Sequence, residues 1–450
     1  MLLTVLGAVL RFLYLGQKSF WTDEGASFVI AHQHWAGFWH TIFTHEANAS
    51  LYYLLLHFWL QLGDSEFVIR LLSVLAAVVT LPVVYLLGKS LYDRRTGLLA
   101  AALLAIHPSH VAYSQEARGY SFLVLFASLS VYSLVRAMET PSLHWWIWYV
   151  LSSVLAVYCH SFALLVVAAQ WASLVFLPPQ SIRWRGLLSS SAAIGLLTSP
   201  LLFLIATQNQ GQWAWLPKFS LREFAHLMTF LTGNGARFFL YLFFGVLAAA
   251  EMARRSSWRR SVTFWREGLV LSWLLVPILL VSLASLLRPI LAPRFLIFCL
   301  PAVALPAARG FFAAPYRKLA ALALLVLVVL SLSSLRTYYL TPKEDWRGAA
   351  QFVLSTAQPG EPILSWDSPA FTYYRERLRD GSNLEFVSPE NWLRDPRPLG
   401  LRVWLVLYEH DSWNYPGKTI LANMREQHRA EDKKVFGHDI WVVRYDVPPK

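Results

Sequence analysis

Eleven apolar stretches fill the chain up to residue 335 and constrain its fold more than any other feature. They occupy residues 1–16, 67–88, 97–111, 120–138, 145–159, 161–177, 187–206, 236–252, 268–287, 294–309 and 318–335. A helix needs about 20 apolar residues to cross a bilayer, and somewhat fewer when neighbouring helices bury it. Charged residues make up only 15% of the chain, whereas soluble domains carry about 25%. The sequence therefore predicts an α-helical polytopic membrane protein with about eleven spans.

Residues 336–450 have a different composition, that of a soluble domain. Short apolar runs bounded by Gly and Pro predict strands at Pro362–Trp366, Leu401–Tyr408 and Ile440–Tyr445. Helical patterns alternate with these runs at Lys343–Thr356, Pro369–Arg379 and Lys418–Gln427. We therefore expect a transmembrane domain at 1–335, with a first outer loop at 17–66, and a small α/β domain at 336–450.

The net charge of +12 belongs to the transmembrane part, because residues 336–450 carry equal numbers of acidic and basic side chains. Nucleic acid is thus a poor explanation of the high pI. Loop charge follows the positive-inside rule when the N-terminus is cytoplasmic. An odd number of spans then makes the C-terminal domain extracytoplasmic. The two cysteines, Cys159 and Cys299, lie in apolar stretches and predict no disulfide framework.

Two adjacent carboxylates, Asp23 and Glu24, follow the first apolar stretch. Acidic side chains at a membrane boundary cost free energy unless water, a cation or a partner receives them, so they are functional candidates. Neighbouring residues of a regular element point apart, so we expect Asp23 to face a site and Glu24 to support it. The alternative is a solvated loop start. Amphipathic pieces at Ile30–Phe43 and Leu51–Leu60 would cover this region.

Further candidates fall on the same predicted outer face. His45 and Glu46 could bind a divalent cation or could belong to a helix cap. Glu116 and Arg118 could pair with each other, or Glu116 could order a site in which Arg118 neutralises a phosphate. Arg294 opens an apolar stretch, where it could extend to lipid headgroups or hold a phosphate.

Several of these motifs together resemble the bacterial branch of the GT-C glycosyltransferases of families 39 and 83. That group includes protein O-mannosyltransferases and lipid A aminoarabinose transferases. The matching segments are Leu10–Phe12, Trp21–Glu24, Leu51–Leu54, Arg70–Ser73, Ser114–Ser121 and Asp345–Ala350. The resemblance implies a multispan enzyme of the bacterial inner membrane that uses a polyprenyl-phosphate sugar donor at the outer face.

The resemblance also implies roles for individual residues. Asp23 becomes the catalytic base and Glu116 the second acid, while Glu24, Arg118, Tyr120 and Arg294 bind substrate. Glu46, with His45, becomes a candidate ligand for a divalent cation. The chain departs from its relatives here, because Asn48-Ala49-Ser50 stands where they often have two prolines.

The expected reaction is an inverting transfer of sugar to a hydroxyl of a lipid, glycan or protein acceptor. Asp23 takes the acceptor proton, and the two arginines stabilise the departing phosphate. An alternative is a ligase or polymerase of lipid-linked glycans, which predicts large arginine-rich outer loops. A transporter or flippase is less consistent with the sequence, because the acids crowd one face and no internal repeat is evident.

Overall fold

The computed structural model describes residues 1–208, 216–255, 260–365, 368–378, 384–387, 402–408 and 429–446. These residues form two compact units. The first comprises Met1–Leu13, Trp35–Trp59 and Arg70–Leu340, and the second comprises Tyr14–His34, Leu60–Ile69 and Thr341–Lys450. The second unit therefore combines two pieces of the first outer loop with the C-terminal segment.

The first unit is built from helices. They are α1 (Leu2–Phe12), α3 (Trp35–Thr44), α4 (Ser50–Trp59), α5 (Glu66–Leu91, of which 66–69 belong to the second unit), α6 (Arg94–Ala105), α7 (Pro108–Ser114), α8 (Tyr120–Glu139), α9 (Leu143–Cys159), α10 (Leu164–Ser173), α11 (Trp184–Thr207), α12 (Leu221–Thr232), α13 (Ala236–Arg255), α14 (Val262–Leu287), α15 (Leu300–Ala313) and α16 (Arg317–Leu340). A 3₁₀ turn, Pro293–Cys299, leads directly into α15.

Every predicted apolar stretch is helical. Among the described residues, seven helical segments are long and apolar enough to cross a membrane. The pair α6 and α7, bent by 60°, makes an eighth candidate, and three shorter apolar helical segments lie at Leu2–Phe12, Leu143–Cys159 and Ser161–Phe176. The prediction of a polytopic helical membrane protein is confirmed, whereas the number of eleven spans stays a prediction.

The second unit has the predicted α/β character. Its helices are α2 (Thr22–His32), α17 (Trp346–Thr356) and α18 (Pro369–Leu378). Its strands are β1 (Pro362–Ser365), β2 (Glu385–Val387), β3 (Arg402–Tyr408), β4 (Arg429–Phe436) and β5 (Ile440–Asp446). The predicted helix Lys418–Gln427 lies outside the described residues.

The sheet of the second unit has the strand order β2-β1-β3-β5-β4. Strand β1 is parallel to β2 and β3, whereas β5 is antiparallel to β3 and β4. The central strand β3 is nearly all apolar and is buried along its length, as expected for a strand covered on both faces.

One amphipathic stretch of the sequence is divided between the units. Ile30–Phe43 reads as a single piece, but α2 ends at His32 and α3 begins at Trp35. Gln33, at the C-cap, has an extended backbone that interrupts the helical hydrogen bonds. Leu51–Leu60, by contrast, closely matches α4.

Close packing in the first unit depends on Gly310 in α15. A Cβ at this position would overlap the backbone carbonyl of Phe244 in α13. We expect Gly310→Ala to lower the melting temperature in detergent, because overpacking of a helix contact costs about 1–3 kcal/mol. Gly245→Ala in α13 is the control, since nothing lies within 4 Å of its Cβ position. Equal melting temperatures for both variants would contradict this packing.

Candidate active site

The predicted site residues are distributed over both units. Asp23 and Glu24 belong to the second unit, and His45, Glu46, Glu116, Arg118, Tyr120 and Arg294 belong to the first. Each group is described within its own unit.

A tyrosine hydroxyl joins two of the predicted residues in the first unit. Arg118 Nη1 donates to the Tyr53 hydroxyl at 3.2 Å, and that hydroxyl donates to Glu46 Oε2 at 3.4 Å. Tyr53 is buried on α4, so its position is fixed by packing. The structure thus brings a carboxylate and a guanidinium from distant loops to one phenol. Tyr53 was part of a matching motif, but sequence reasoning gave it no role.

Buried polar contacts hold the loop that carries Glu116 and Arg118. Gln115 Nε2 donates to the carbonyl oxygens of Arg11 (2.9 Å) and Leu13 (2.7 Å). Ser73 Oγ donates to the Arg118 carbonyl at 3.1 Å. These contacts satisfy carbonyls at the C-terminal end of α1 and the carbonyl of Arg118 in the turn. Glu116 itself is buried, and its carbonyl accepts the Arg118 N–H at 2.8 Å.

His160, which sequence reasoning missed, lies within electrostatic range of both Arg118 and Arg294. The positive charges of both arginines act on its imidazole. The ring also lies 4.6 Å from that of Phe295, the neighbour of Arg294. Asn48 contributes as well, because its Oδ1 accepts the Ser161 N–H at 2.9 Å and its Nδ2 lies 3.4 Å from His160 Nε2. Asn48 is therefore part of this cluster.

A cavity of about 500 Å³ adjoins Arg294 in the first unit. Its walls are mostly apolar, with a few polar groups. The lining residues are Tyr113, Leu216, Pro217, Glu223, His226, Thr229, Phe230, Leu291, Ala292, Pro293 and Arg294. Tyr120 supports this wall, since its ring packs edge-on against that of Tyr113 at 5.2 Å. An apolar hollow with a guanidinium on its wall is chemically suited to an amphiphile with an anionic group.

The candidate cation ligands His45 and Glu46 each have a hydrogen-bond partner in this structure. Glu46 accepts from Tyr53, and the His45 imidazole hydrogen-bonds with the Thr44 hydroxyl. Among the residues that the structure describes, no cluster of three or more His, Cys, Asp or Glu is placed to hold a metal ion. The role of Glu46 and His45 as ligands of a divalent cation therefore stays a prediction.

In the second unit, Asp23 and Glu24 lie on the first turn of α2 and have different surroundings. Glu24 is fully buried, and its Oε2 is 3.4 Å from Lys343 Nζ. Asp23 is only partly buried. Carboxylates are favourable in the first turn of a helix because the backbone dipole is positive there. The burial of Glu24 agrees with a supporting role, while the catalytic role of Asp23 stays a prediction.

The chain entering α2 is tied to the Asp345–Ala350 motif. Arg347 donates to Glu66 Oε1 through Nε (3.1 Å) and Nη2 (2.8 Å). The same guanidinium donates to the carbonyls of Gly16, Gln17 and Lys18. Sequence reasoning found this motif only through the resemblance and assigned it no contact.

The Glu66 carboxylate also accepts from the Tyr374 hydroxyl at 3.1 Å. That hydroxyl in turn accepts the Phe20 N–H at 2.7 Å. Burial, together with the negative charge of Glu66, raises the pKa of Tyr374 to about 12.

Part of the chain matches the model of a known protein family. Residues 48–205 match the family model described as dolichyl-phosphate-mannose-protein mannosyltransferase. This match includes Tyr53, Glu116 and Arg118 but neither Asp23 nor Arg294. No curated protein sequence matches the chain.

Solved structures match over nearly the whole chain. ArnT from Cupriavidus metallidurans bound to undecaprenyl phosphate is 14% identical, with a TM-score of 0.63 and coverage of 98% of this chain and 97% of ArnT. Its apo state gives a TM-score of 0.64 at 13% identity, with the same coverage. The oligosaccharyltransferase of Archaeoglobus fulgidus is also similar, at 13% identity and a TM-score of 0.57, over 90% of this chain and 67% of that one. The resemblance to GT-C glycosyltransferases is confirmed, and the chain has their fold.

The raised pKa of Tyr374 predicts a pH dependence of stability. The folded state holds the phenol proton more tightly than the unfolded chain does. This contribution is complete below the ordinary pKa of about 10 and is lost as the pH rises through about 12. We expect Tyr374→Phe to flatten the alkaline fall of the melting temperature. Tyr316→Phe, at an exposed position, is the control, and an unchanged alkaline profile for Tyr374→Phe would refute the prediction.

Proposed function

We propose that the protein is a membrane glycosyltransferase that moves a sugar from a polyprenyl-phosphate donor to an acceptor hydroxyl. The observation that carries the proposal is that two arginines, Arg118 and Arg294, both act electrostatically on His160, and that an apolar cavity adjoins Arg294, in a chain with the GT-C fold. The similar ArnT was solved with undecaprenyl phosphate, and an archaeal oligosaccharyltransferase with dolichol phosphate. Both ligands combine an apolar tail with a phosphate.

The two arginines act on the leaving group in this proposal. As the bond between the anomeric carbon and the donor phosphate breaks, negative charge grows on the phosphate oxygens. Guanidinium groups already fixed in place stabilise that charge without reorganising. Arg118 is fixed through Tyr53 and through the loop that Gln115 and Ser73 hold. Glu116 shapes the same loop.

Asp23 acts as the general base in this proposal. It takes the proton of the acceptor hydroxyl as the oxygen attacks the anomeric carbon, and the configuration inverts. Glu24 keeps the first turn of α2 in place through its buried contact with Lys343. Tyr120 supports the cavity wall through Tyr113. The acceptor hydroxyl in this proposal belongs to a lipid, a glycan or a protein.

The orientation follows from loop charge and the location from the resemblance, and both are part of the proposal. The chain lies in the bacterial inner membrane with its N-terminus in the cytoplasm, and the C-terminal domain is extracytoplasmic. Transfer then takes place at the outer face. The ligase or polymerase of lipid-linked glycans remains the second candidate, since one of the similar structures is an oligosaccharyltransferase.

Removing the proposed base gives the first functional prediction. Asp23→Asn keeps the size of the side chain but cannot accept the proton, so we expect transfer of radiolabelled sugar from a polyprenyl phosphate to fall at least about 100-fold. Asp432→Asn, an exposed carboxylate on β4, is the control. Full transfer by Asp23→Asn protein that has inserted normally would remove Asp23 from the base role.

Changing a phosphate-binding arginine gives the second functional prediction. Arg294→Lys keeps the charge but loses the guanidinium fork that binds phosphate with two parallel hydrogen bonds. We expect kcat/KM for the donor to fall about 10-fold to 100-fold, because a hydrogen bond to a charged group contributes about 1.5–3 kcal/mol. Arg288→Lys provides the control, since that position is exposed. Equal kcat/KM values for the two variants would contradict the assignment.

A further inference from the structure

Helix α2 begins at Thr22 without a side-chain oxygen at its N-cap position, because Trp21 stands there. The first backbone N–H groups of a helix need acceptors from outside the helix, and Ser, Thr, Asp and Asn usually supply them. In α2 one such acceptor comes from a distant part of the chain. Glu344 Oε2 accepts from both the backbone N–H and the hydroxyl of Thr22, each at 3.1 Å.

Both oxygens of the Glu344 carboxylate are engaged within the second unit. Oε2 also accepts from the Trp346 indole N–H at 2.7 Å, and Oε1 accepts from the Tyr408 hydroxyl at 2.9 Å. Trp346 is buried, and Tyr408 ends the central strand β3. The carboxylate is therefore held in a fixed position by one residue of helix α17 and one of the sheet. A negative charge placed there is also favourable because it meets the positive end of the α2 backbone dipole.

The opposite side of Asp23 is fixed by packing. A Cβ at Gly25 would overlap the backbone of Pro369 and Ala370 at the start of α18. Helix α2 thus approaches α18 as closely as a glycine allows. Thr22 and Gly25 lie on either side of Asp23 in the sequence, and both are held by residues from the C-terminal segment.

Electrostatics connects Asp23 with the same group of residues. The negative charges of Glu344, Asp439 and Asp23 all act on Tyr408, and together with burial they raise the pKa of its phenol. Tyr408 therefore stays protonated at neutral pH, and its hydroxyl donates a hydrogen bond to Glu344. A change of charge at Glu344 alters the electrostatic environment that Asp23 shares.

From these contacts we infer that Glu344 is a positioning residue for Asp23: it fixes the first turn of α2 and keeps that carboxylate in its reactive orientation. The inference rests on the proposed function for the role of Asp23 in catalysis, but not for the contact itself. In this inference the C-terminal segment contributes to the reaction by positioning the catalytic base. The inference also explains why Thr22 precedes the acidic pair, because its hydroxyl supplies the second hydrogen bond to Glu344.

The test uses the full-length protein with the substitution Glu344→Gln, and Glu361→Gln as the matched control. Glu361 also accepts a buried indole N–H, that of Trp404 at 2.7 Å, and a backbone N–H, that of Gln358 at 3.0 Å. Like Glu344 it accepts from an indole and from a backbone N–H, and its Oε1 also lies 3.7 Å from Arg402 Nη1, but none of these contacts involves α2. A general weakening of the second unit therefore affects both variants alike.

The first measurement is hydrogen–deuterium exchange of peptides covering α2, and it needs no substrate. Glu344→Gln removes the negative charge and one of the two acceptor oxygens, which should speed exchange in the first turn of α2 about 10-fold, whereas Glu361→Gln should match the wild type. Thr22→Val removes one of the two hydrogen bonds and should give a smaller increase. Equal exchange in Glu344→Gln and Glu361→Gln would overturn the inference even if the wild-type protein transfers sugar.

The second measurement is the steady-state kinetics of sugar transfer. A misplaced base lowers kcat about 10-fold or more while leaving KM for the donor unchanged. If Glu344→Gln and Glu361→Gln change kcat and KM to the same extent, the role of Glu344 is purely structural and the inference fails. If the wild-type protein transfers no sugar while α2 loosens only in Glu344→Gln, the proposed function fails and the contact stands.

Discussion

Removal from water is the constraint on which most of this structure depends. Apolar segments that cross a bilayer must satisfy every backbone N–H and C=O within the protein, which makes them helical. The same requirement applies to polar side chains among the helices. Arg11 is fully buried, and its guanidinium donates to the carbonyls of Gly7 and Ala105 and contacts the His110 imidazole. The charged groups of the candidate site follow the same rule, because side chains from distant parts of the chain are among their partners.

The large-scale fold follows from the sequence because the apolar stretches are long and well separated. Each of the eleven became helical, and the strands Pro362–Ser365 and Ile440–Asp446 lie where short apolar runs end at Gly or Pro. The division of the first outer loop between the two units does not follow from the local pattern of apolar and polar residues. Ile30–Phe43 has a continuous amphipathic character, and only contacts with the C-terminal segment assign its first part to another unit.

The charged residues of the candidate site were predictable, because they lie at the ends of apolar stretches, where an acid or a guanidinium near a bilayer needs an explanation. The uncharged residues of the site were not predictable. Tyr53, Asn48 and Gln115 have ordinary side chains in helices and turns, and nothing in their spacing indicates that they meet Arg118, His160 or Arg11. Their roles arise from tertiary contacts between residues as many as 113 positions apart. The contact of Glu344 with α2 was equally unpredictable, because a helix cap supplied from another part of the chain leaves no local signal in the sequence.

The length of chain between Thr22 and Glu344 has a consequence for biosynthesis. The two residues are 322 positions apart, so a ribosome adding about 5–20 residues per second needs roughly 16–64 seconds to make the second after the first. During that interval the start of α2 lacks the acceptor that completes it. A nascent or prematurely terminated chain therefore carries its acidic pair in an unfinished helix, and maturation of this region waits for the last part of the protein to be synthesised.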